Sequence, residues 1–242
     1  MDYDNLLDLV KRRRSIRRFK PDPIPDERIE QIIEVARWAP SGFNMQPWEF
    51  VVIKKPELRD KIVECIKAYW AQSKSMEATR EPWQGKPWKT SGVIDAGMDF
   101  TTAPVFIILF GDPRTNLGLP MGLRYDKNRC QTVFTSGLAS AFLYMHLAAT
   151  TLGLASQWVS AISTPFASCL VKDLLGIPHG MEPYDMMALG YPAIQPSGKF
   201  MRDQEKMIHY DDCGPKDFRS GDEVRDYVKR ARNWTIGTHR RK

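Results

Sequence analysis

The chain has 242 residues, of which 43% are hydrophobic and 26% are charged, and this globular composition excludes a chain too polar to form a core. Its length allows one large domain or two small ones. The net charge of +6 is mildly basic, with much of the excess in an N-terminal arginine cluster and in residues 225–242. A solvated tail explains the C-terminal charges, although nucleic acid and anionic membranes also bind basic segments.

The cysteines and the N-terminus argue against an exported protein. No CxxC pair occurs, so we expect no zinc site, and the four cysteines are far apart: Cys65, Cys130, Cys169 and Cys213. The opening MDYDNLLDLV carries acidic residues and no long apolar run, unlike a secretory signal. These features predict free thiols in a reducing, cytoplasmic compartment.

Apolar periodicity and turn residues predict the first elements. A helical period over 5–14 predicts a short helix, and PDPIPDER starts a second helix that ends near Trp38. Asp26 is positioned to cap this second helix, and Pro40 ends it. The apolar run of EFVVIK predicts a strand over 49–54 that is buried on both faces.

Helices and strands continue to the end of the recognisable pattern. The segment 132–155 is apolar and long enough to span a bilayer, but His146 lies near its middle among serine, threonine and glycine residues. We therefore expect a buried core helix there rather than a membrane span. The other predicted elements are a helix over 56–69, strands over 104–110, 156–162 and 186–192, and a helix over 165–175. This mixture indicates an α/β or α+β fold with helices covering a central sheet.

One segment, 70–102, breaks this pattern. It contains Trp70, Trp83 and Trp88 and the sequence EPWQGKPW, and it is too long and too aromatic for a simple connection. Long irregular segments in compact domains are often lids. A structural excursion that covers one end of the core is the other interpretation, and the sequence does not choose between them.

Several catalytic and cofactor motifs are absent. The chain has no GxSxG, no P-loop and no HExxH, and no GxGxxG fingerprint of a Rossmann dinucleotide site. Its four histidines are scattered without metal-ligand spacing, and we expect His146 to be a satisfied core histidine. The chemistry must therefore depend on other segments or on a cofactor.

Two segments remain that are too polar to be ordinary packing. RRRSIRRF, residues 12–19, places five arginines in eight residues, which suits water, nucleic acid, a membrane surface or a bound phosphate. APSGFNMQPWEFVVI, residues 39–53, is a polar turn that leads directly into a predicted buried strand. Its amide and hydroxyl groups bind each other, the backbone or a ligand with many polar atoms.

Together these segments closely resemble the start of the FMN-dependent nitroreductase family. The resemblance continues at LAATTLGLAS, LLGIP, ALGYPA and KMIHY, and it covers most of residues 5–210. It implies an α+β, three-layer fold with a mostly antiparallel central sheet flanked by helices. It also implies an intertwined homodimer with FMN at two interface sites. We expect one domain over 1–242, with a lid-like insertion at about 70–102 and a basic extension at about 213–242.

The resemblance assigns roles to the arginine cluster. In this family the RRS-x-R segment binds FMN, and by position the phosphate and ribityl contacts fall to Arg13, Arg14 and Ser15. Guanidinium groups bind a phosphate dianion in bidentate fashion. Arg17 is expected at the N1/O2 edge of the isoalloxazine ring, where a fixed cation stabilises the negative charge of the reduced flavin. Arg12 and Arg18 are expected to be solvated.

Further FMN contacts are implied from the turn and from two later segments. The turn residues that match contacts from the partner chain are Pro40, Ser41, Gly42 and Asn44, with Gln46 supporting the turn. Where relatives carry a glycine-containing strand beside flavin N5, this chain reads GLASQWVSAI. Val159 and Ser160 are expected there as backbone contacts, and the size of Trp158 can alter the approach. The family's phosphate arginine aligns near Met201, and Arg202 is the expected replacement.

The resemblance implies an FMN-dependent oxidoreductase. NADH or NADPH gives hydride to the flavin and leaves, and a nitroaromatic or quinone acceptor then takes the electrons in ping-pong fashion. The lid residues Trp83 and Trp88 are positioned to stack on a planar acceptor. Alternatives within the fold are a reductive dehalogenase of iodotyrosine type and a flavin-consuming oxygenase. A non-catalytic flavin-binding protein and a basic nucleic-acid-binding module are alternatives in other classes. We otherwise expect no nucleic-acid or membrane partner.

Overall fold

The computed structural model describes residues 2–76, 99–196 and 198–240. It divides into two compact units by packing. The sheet unit comprises Met1–Tyr69 and Asp99–Gln195, and the C-terminal unit comprises Trp70–Met98 and Pro196–Lys242. The predicted lid residues Trp83 and Trp88 lie outside the described residues.

A four-stranded antiparallel sheet forms the centre of the sheet unit. Its strands are β1 (Trp48–Ile53), β2 (Val105–Gly111), β3 (Ala155–Val159) and β4 (Glu182–Gly190), in the spatial order β1-β2-β4-β3. β2 is a continuous apolar run that is buried along its whole length, as predicted for a strand covered on both faces.

The prediction that β1 is buried on both faces is wrong. β1 is an edge strand of the sheet, and Glu49 and Val52 are exposed. Its apolar run reflects the preference of valine, isoleucine and phenylalanine for extended backbone, which central and edge strands share. The strand assignment was therefore available from the sequence, but the position in the sheet was not.

An irregularity in β4 interrupts its register with β2. Leu109 faces Asp185 and the next residue, Phe110, faces Pro183, so Tyr184 is an extra residue on β4. Such a bulge bends the strand and redirects side chains, and it is one of the few places where a central strand accepts proline. Pro183 lies directly beside this bulge, where the regular ladder is interrupted.

The five predicted helices are present in the predicted order, and two more were not predicted. The helices of the described residues are α1 (Tyr3–Arg12), α2 (Asp26–Arg37), α3 (Pro56–Met76), α4 (Met121–Arg124), α5 (Lys127–Thr151), α6 (Pro165–Leu175) and α7 (Gly221–Arg240), of which α4 and α7 are the two that were not predicted. Asp26 does not cap α2 as predicted, because Pro25 occupies the cap position and makes no side-chain cap bond. The Asp26 carboxylate instead pairs with Lys54, at the end of β1.

Helix α5 packs its apolar face on the sheet. Asp126 caps it by accepting hydrogen bonds from the amides of Asn128 and Arg129, both at 3.1 Å. Its buried face joins alternate residues of β2 and β4 in the main core, and includes Phe134, Leu138, Ala141, Phe142 and Met145. By length and composition it is the one described helix that could cross a membrane. Its burial on the sheet agrees with the predicted core helix.

Candidate functional site

The arginine cluster runs as extended chain along the end of the sheet. Ser15 forms a bridge with Ser156 of β3, and the amide of Ile16 donates to the Ser156 carbonyl at 3.1 Å. The amide of Lys20 donates to the carbonyl of Tyr191, just after β4, at 2.9 Å. Backbone pairing at both ends therefore holds this segment in a fixed position on a rigid sheet.

The side chains of this segment divide into anchors and partly buried arginines. Ile16 and Phe19 are 6% and 5% exposed and fix the segment in the core. The half-buried arginines are Arg13, Arg14 and Arg17, whereas Arg12, Ser15 and Arg18 are exposed. Burial and then the charge of Arg14 lower the pKa of Arg13. Two like charges close together and partly out of water are favourable where an anion lies between them.

A buried histidine lies close to these arginines. His146 of α5 shares a 2.7 Å hydrogen bond between its Nδ1 and the hydroxyl of Ser156, and no described residue forms a hydrogen bond with its buried Nε2. Burial, followed by the charge of Arg13, lowers the pKa of His146 to about 3. The imidazole is therefore neutral, and His146 is a core histidine, as predicted, but only one of its two ring nitrogens is hydrogen-bonded to a described residue.

The indole of Trp158 belongs to an aromatic cluster. It stacks on His146 with ring centroids 5.4 Å apart and an angle of 5° between the planes. The ring centroids of Phe142 and Tyr184 lie 4.5 Å and 6.2 Å from the centroid of the indole. The Trp158 side chain, which sequence reasoning left without a direction, is thus turned into the main core.

Sequence reasoning missed Asp185, which accepts a hydrogen bond from Trp158 Nε1. Asp185 is 7% exposed, and the hydroxyls of Ser160 and Ser163 each lie 3.5 Å from one of its oxygens. Burial raises the pKa of Asp185 to about 6, and these three donors oppose that rise. A lone aspartate directly before the apolar run MMALG was the signal that could have found it.

Asp185 opens onto a pocket of about 260 Å³ at the end of β3. Val159 is buried and Ser160 is exposed, so the two expected flavin contacts face different surroundings. The other residues at the pocket include Gln131, Thr135, Ser163, Glu182 and Tyr184. The pocket therefore combines hydroxyl, amide and carboxyl groups at the edge of an aromatic cluster.

The predicted polar turn has a strained backbone. Three residues of the turn have left-handed φ angles, which are 53° at Phe43, 56° at Asn44 and 45° at Gln46. The amide of Gln46 donates to the hydroxyl of Ser41 at 3.0 Å, and its side-chain amide donates to Asn44 Oδ1 at 3.1 Å. Gln46 thus supports the turn, as predicted. Strain of this kind persists only where surrounding contacts impose it.

Helix α5 and the residue that follows β2 supply those contacts. A methyl group on Gly42 would lie 2.1 Å from Val133 Cγ1 of α5, and one on Gly137 of α5 would lie 3.1 Å from Ser41 Cβ. After β2, the amide of Asp112 donates to the carbonyl of Pro47 at 2.7 Å. The close approach requires small residues on both surfaces and holds the turn against the first half of α5.

One chain does not bring the turn and the arginine cluster together. The turn packs near Gly137, whereas the arginine cluster lies near His146. Gly137 and His146 are nine positions apart on α5, which corresponds to about 14 Å along a helix. Two polar surfaces therefore occur on the same helix, each with part of the predicted FMN contacts.

A family model fits this arrangement of motifs and elements. The model described as Nitroreductase family matches residues 10–191. The chain belongs to the nitroreductase family. This confirms the resemblance inferred from the arginine cluster and the polar turn.

Relatives of this nitroreductase-family chain fall into several named groups. A candidate NADH dehydrogenase/NAD(P)H nitroreductase of Methanothermobacter thermautotrophicus is 25% identical over 203 residues, covering 84% of this chain and 85% of that protein. Rat iodotyrosine deiodinase 1 is 37% identical over 116 residues, covering 46% of this chain and 38% of that protein.

Solved structures share the fold. A candidate nitroreductase from Desulfovibrio desulfuricans, in complex with FMN, superposes with a TM-score of 0.60 and 23% identity. The superposition covers 87% of this chain and 98% of that chain. The likeness confirms the predicted α+β fold of the family.

The remaining predicted nitroreductase contact, Arg202, lies in the C-terminal unit. Its Nη2 donates to the carbonyl of Lys206 at 3.3 Å, beside a groove of about 410 Å³. Other residues of this groove include His209, Asp217, Phe218 and Arg219. Arg202 thus lies in a basic environment, and its contact with the FMN phosphate stays a prediction.

Acid stability is expected to depend on His146 and Asp185 in opposite senses. Because the His146 pKa falls from 6.5 to about 3, folding loses stability as pH drops below 6.5. Because the Asp185 pKa rises from 3.8 to about 6, folding loses stability as pH rises from 3.8 through 6. The two effects offset each other in this range. Asp185→Asn removes one of them and should increase the loss of stability between about pH 6 and pH 4 by on the order of 2 kcal/mol.

Urea unfolding of both proteins at several pH values measures this difference. Other carboxylates such as Asp112 and Glu34, whose pKa values are lowered mainly by side-chain hydrogen bonds, contribute equally to both proteins and cancel. Parallel curves of unfolding free energy against pH would contradict the prediction.

Proposed function

We propose that this chain is an FMN-dependent oxidoreductase. In this proposal NADH or NADPH supplies electrons, FMN carries them, and a small aromatic acceptor such as a nitroaromatic or a quinone receives them in a ping-pong cycle. The observation that carries the proposal is the half-buried pair Arg13 and Arg14, held on the sheet of a nitroreductase-family fold.

The chemistry of the donors in the arginine cluster fits FMN. Arg13, Arg14 and the exposed hydroxyl of Ser15 would hold the phosphate and ribityl oxygens, because guanidinium groups bind phosphate through paired hydrogen bonds. Arg17 would place a positive charge at the N1/O2 edge of the ring. Bound FMN supplies the two-electron chemistry, and these residues orient it and balance its charge.

A homodimer would complete this site. The turn is about 14 Å along α5 from the arginine cluster, so a second chain is the natural source of the predicted Ser41 and Asn44 contacts. Trp38 and Phe43, beside and within the turn, are 79% and 56% exposed in the single chain. Exposed aromatic side chains are enriched at protein interfaces, which supports an assembly through this surface.

The purified protein is expected to be yellow and to bleach when NADH or NADPH is added without oxygen. A flavin spectrum before the addition and its loss afterwards would support both the cofactor and the electron donor. Light scattering on the same sample should give the mass of two chains. A colourless protein that also refuses added FMN would contradict the proposal. A yellow protein that does not bleach would retain the cofactor but remove nicotinamide as the donor.

A second candidate function is reductive dehalogenation of a halotyrosine. The 37% identity with the rat iodotyrosine deiodinase over 116 residues favours it, although the chain spans only 38% of that protein. The charged lid residues expected to hold an amino acid are Lys74, Glu77, Arg80 and Glu81, and their side chains lie outside the described residues. Steady-state rates with halotyrosines and with nitroaromatics would separate the two candidates.

The lid remains a proposal for the same reason. Trp83 and Trp88 would stack on a planar acceptor, so changing both to alanine should weaken acceptor binding and leave the FMN content unchanged. Loss of FMN from that variant would show that these tryptophans have a structural role instead.

A further inference from the structure

The bulge in β4 brings two consecutive side chains to one indole. Neighbouring residues of a regular strand point to opposite faces of the sheet. Tyr184 is the extra residue of the bulge, so Tyr184 and Asp185 both reach Trp158, by ring contact and by hydrogen bond respectively. The bulge thus places a carboxyl group at a position that a regular strand would not provide.

Three hydrogen-bond donors surround the carboxyl group of Asp185. One Asp185 oxygen accepts from Trp158 Nε1 and lies 3.5 Å from the Ser160 hydroxyl, and the other lies 3.5 Å from the Ser163 hydroxyl. Asp185 is 7% exposed, whereas both serines are exposed at the pocket. A largely buried acid at the edge of the pocket therefore has two exposed hydroxyl groups beside it.

The two serines differ in their position relative to the proposed flavin site. Ser160 follows Val159 directly at the end of β3, in the segment that the resemblance places beside flavin N5. Ser163 ends the short 3₁₀ helix Ser160–Ser163, and its hydroxyl also donates to the Ser160 carbonyl at 2.8 Å. Of the two, only Ser160 lies in the segment predicted to contact FMN.

We propose that Asp185 is a positioning residue whose gain and loss of a proton, through the Ser160 hydroxyl, is linked to reduction and reoxidation of the bound flavin. This inference rests on the proposed function, because it requires FMN beside Ser160. It goes beyond that function by assigning the second proton of the reaction to a named group of this chain.

Protons and electrons balance in this scheme. The overall reaction with a quinone is NAD(P)H + H⁺ + quinone → NAD(P)⁺ + hydroquinone. The hydride carries two electrons and one proton, so one further proton is needed. The O–H bond of Asp185 breaks to supply that proton by way of the Ser160 hydroxyl, and an O–H bond of the product forms. Asp185 then regains a proton from water.

The groups that face Asp185 suit a carboxyl that titrates in the physiological range. Burial raises its pKa to about 6, and burial followed by the Asp185 charge raises the pKa of Tyr184. Among the described residues at the pocket, the other charged group is the exposed Glu182 of β4, and α5 contributes the uncharged Gln131 and Thr135. His146 lies behind Trp158 and stays neutral.

The rate at which a quinone reoxidises the bound reduced flavin, measured from pH 5 to pH 8 by stopped-flow absorbance, tests the link. In the wild-type protein this rate should fall as pH rises through about 6, where Asp185 loses its proton. Asp185→Asn and Ser160→Ala should both lose this pH dependence. Ser163→Ala is the matched control, since it removes a hydroxyl at the same 3.5 Å distance and should keep the pH dependence.

The indole N–H resonance of Trp158 gives a second readout that does not depend on catalysis. Because this N–H donates to Asp185, its chemical shift should titrate with a midpoint near 6, and Asp185→Asn should abolish the titration. Trp158→Phe identifies the resonance among the seven tryptophans of the chain.

The outcomes separate this inference from the proposed function. A protein that holds no FMN overturns both. A protein that holds FMN but whose reoxidation rate does not change near pH 6 overturns only the role of Asp185. Loss of the pH dependence in Ser163→Ala as well as in Ser160→Ala would also overturn it, because the route through Ser160 would then have no special position. If Asp185→Asn does not fold, Ser160→Ala still decides the question.

Discussion

Arg13→Ala is expected to weaken FMN binding about 10- to 100-fold while leaving the fold intact. A hydrogen bond to a charged group contributes about 1.5–3 kcal/mol, and about 1.4 kcal/mol corresponds to a factor of ten in affinity. Arg13 is half-buried beside Arg14, so its guanidinium is already partly desolvated before an anion binds. Quenching of FMN fluorescence on titration with the apoprotein measures the dissociation constant.

Arg12→Ala is the matched control for this variant. Arg12 is the preceding residue, its side chain is 58% exposed, and it forms an ion pair with Asp8 at 2.7 Å. Removing Arg12 takes away one positive charge from the same segment. FMN affinity should change only slightly, because solvent-exposed charges contribute little free energy to an electrostatic interaction. Equal losses in the two variants would mean that the cluster acts through its total charge, and the assignment of Arg13 would fail.

Gly42→Ala is expected to destabilise the fold by about 1–3 kcal/mol, the range for overpacking a closely packed site. The added methyl group would lie 2.1 Å from Val133 Cγ1, and valine has little freedom to move away. For a chain of this size the melting temperature should fall by roughly 2–4 °C per kcal/mol. Thermal unfolding followed by circular dichroism measures the effect.

A double variant shows whether this contact is the cause. Val133→Ala removes the methyl group that Gly42→Ala would meet, so Gly42→Ala/Val133→Ala should recover much of the loss beyond the cost of Val133→Ala alone. Gly122→Ala is the control, because no atom lies within 4 Å of its added methyl group. Additive losses in the double variant would show that the destabilisation comes from another source.

The sequence predicts the regular elements well where local signals agree with packing. Helix α6 is predicted over its observed range because Pro165 begins it and Gly176, with a φ of 65°, ends it. β2 is predicted as buried because its apolar run has no interruption. The edge position of β1 was missed, because strand order depends on contacts distant in the chain.

The candidate site is predictable only where a motif carries it. The arginine cluster and the polar turn could be found because their residue types are unusual for packing, and the family match confirms the resemblance they gave. The environment of Asp185 could not be found in this way. It depends on a one-residue shift in the pairing of β4 with β2 and on an indole from β3. Such a shift arises from tertiary packing and leaves no local pattern in the sequence.

The backbone of the polar turn also bears on how this protein could be engineered for heat tolerance. A left-handed conformation costs an L-residue roughly 1–2 kcal/mol, and Phe43 and Gln46 are residue types with little tolerance for it. The strain in this turn therefore lowers the free energy of unfolding, and Phe43→Gly should increase it by relieving that strain. Proteins commonly lose activity when such strain is removed from functional segments. Selection for a more thermostable variant is therefore expected to yield substitutions in this turn first. Such substitutions should raise the melting temperature and lower the fraction of protein that holds FMN.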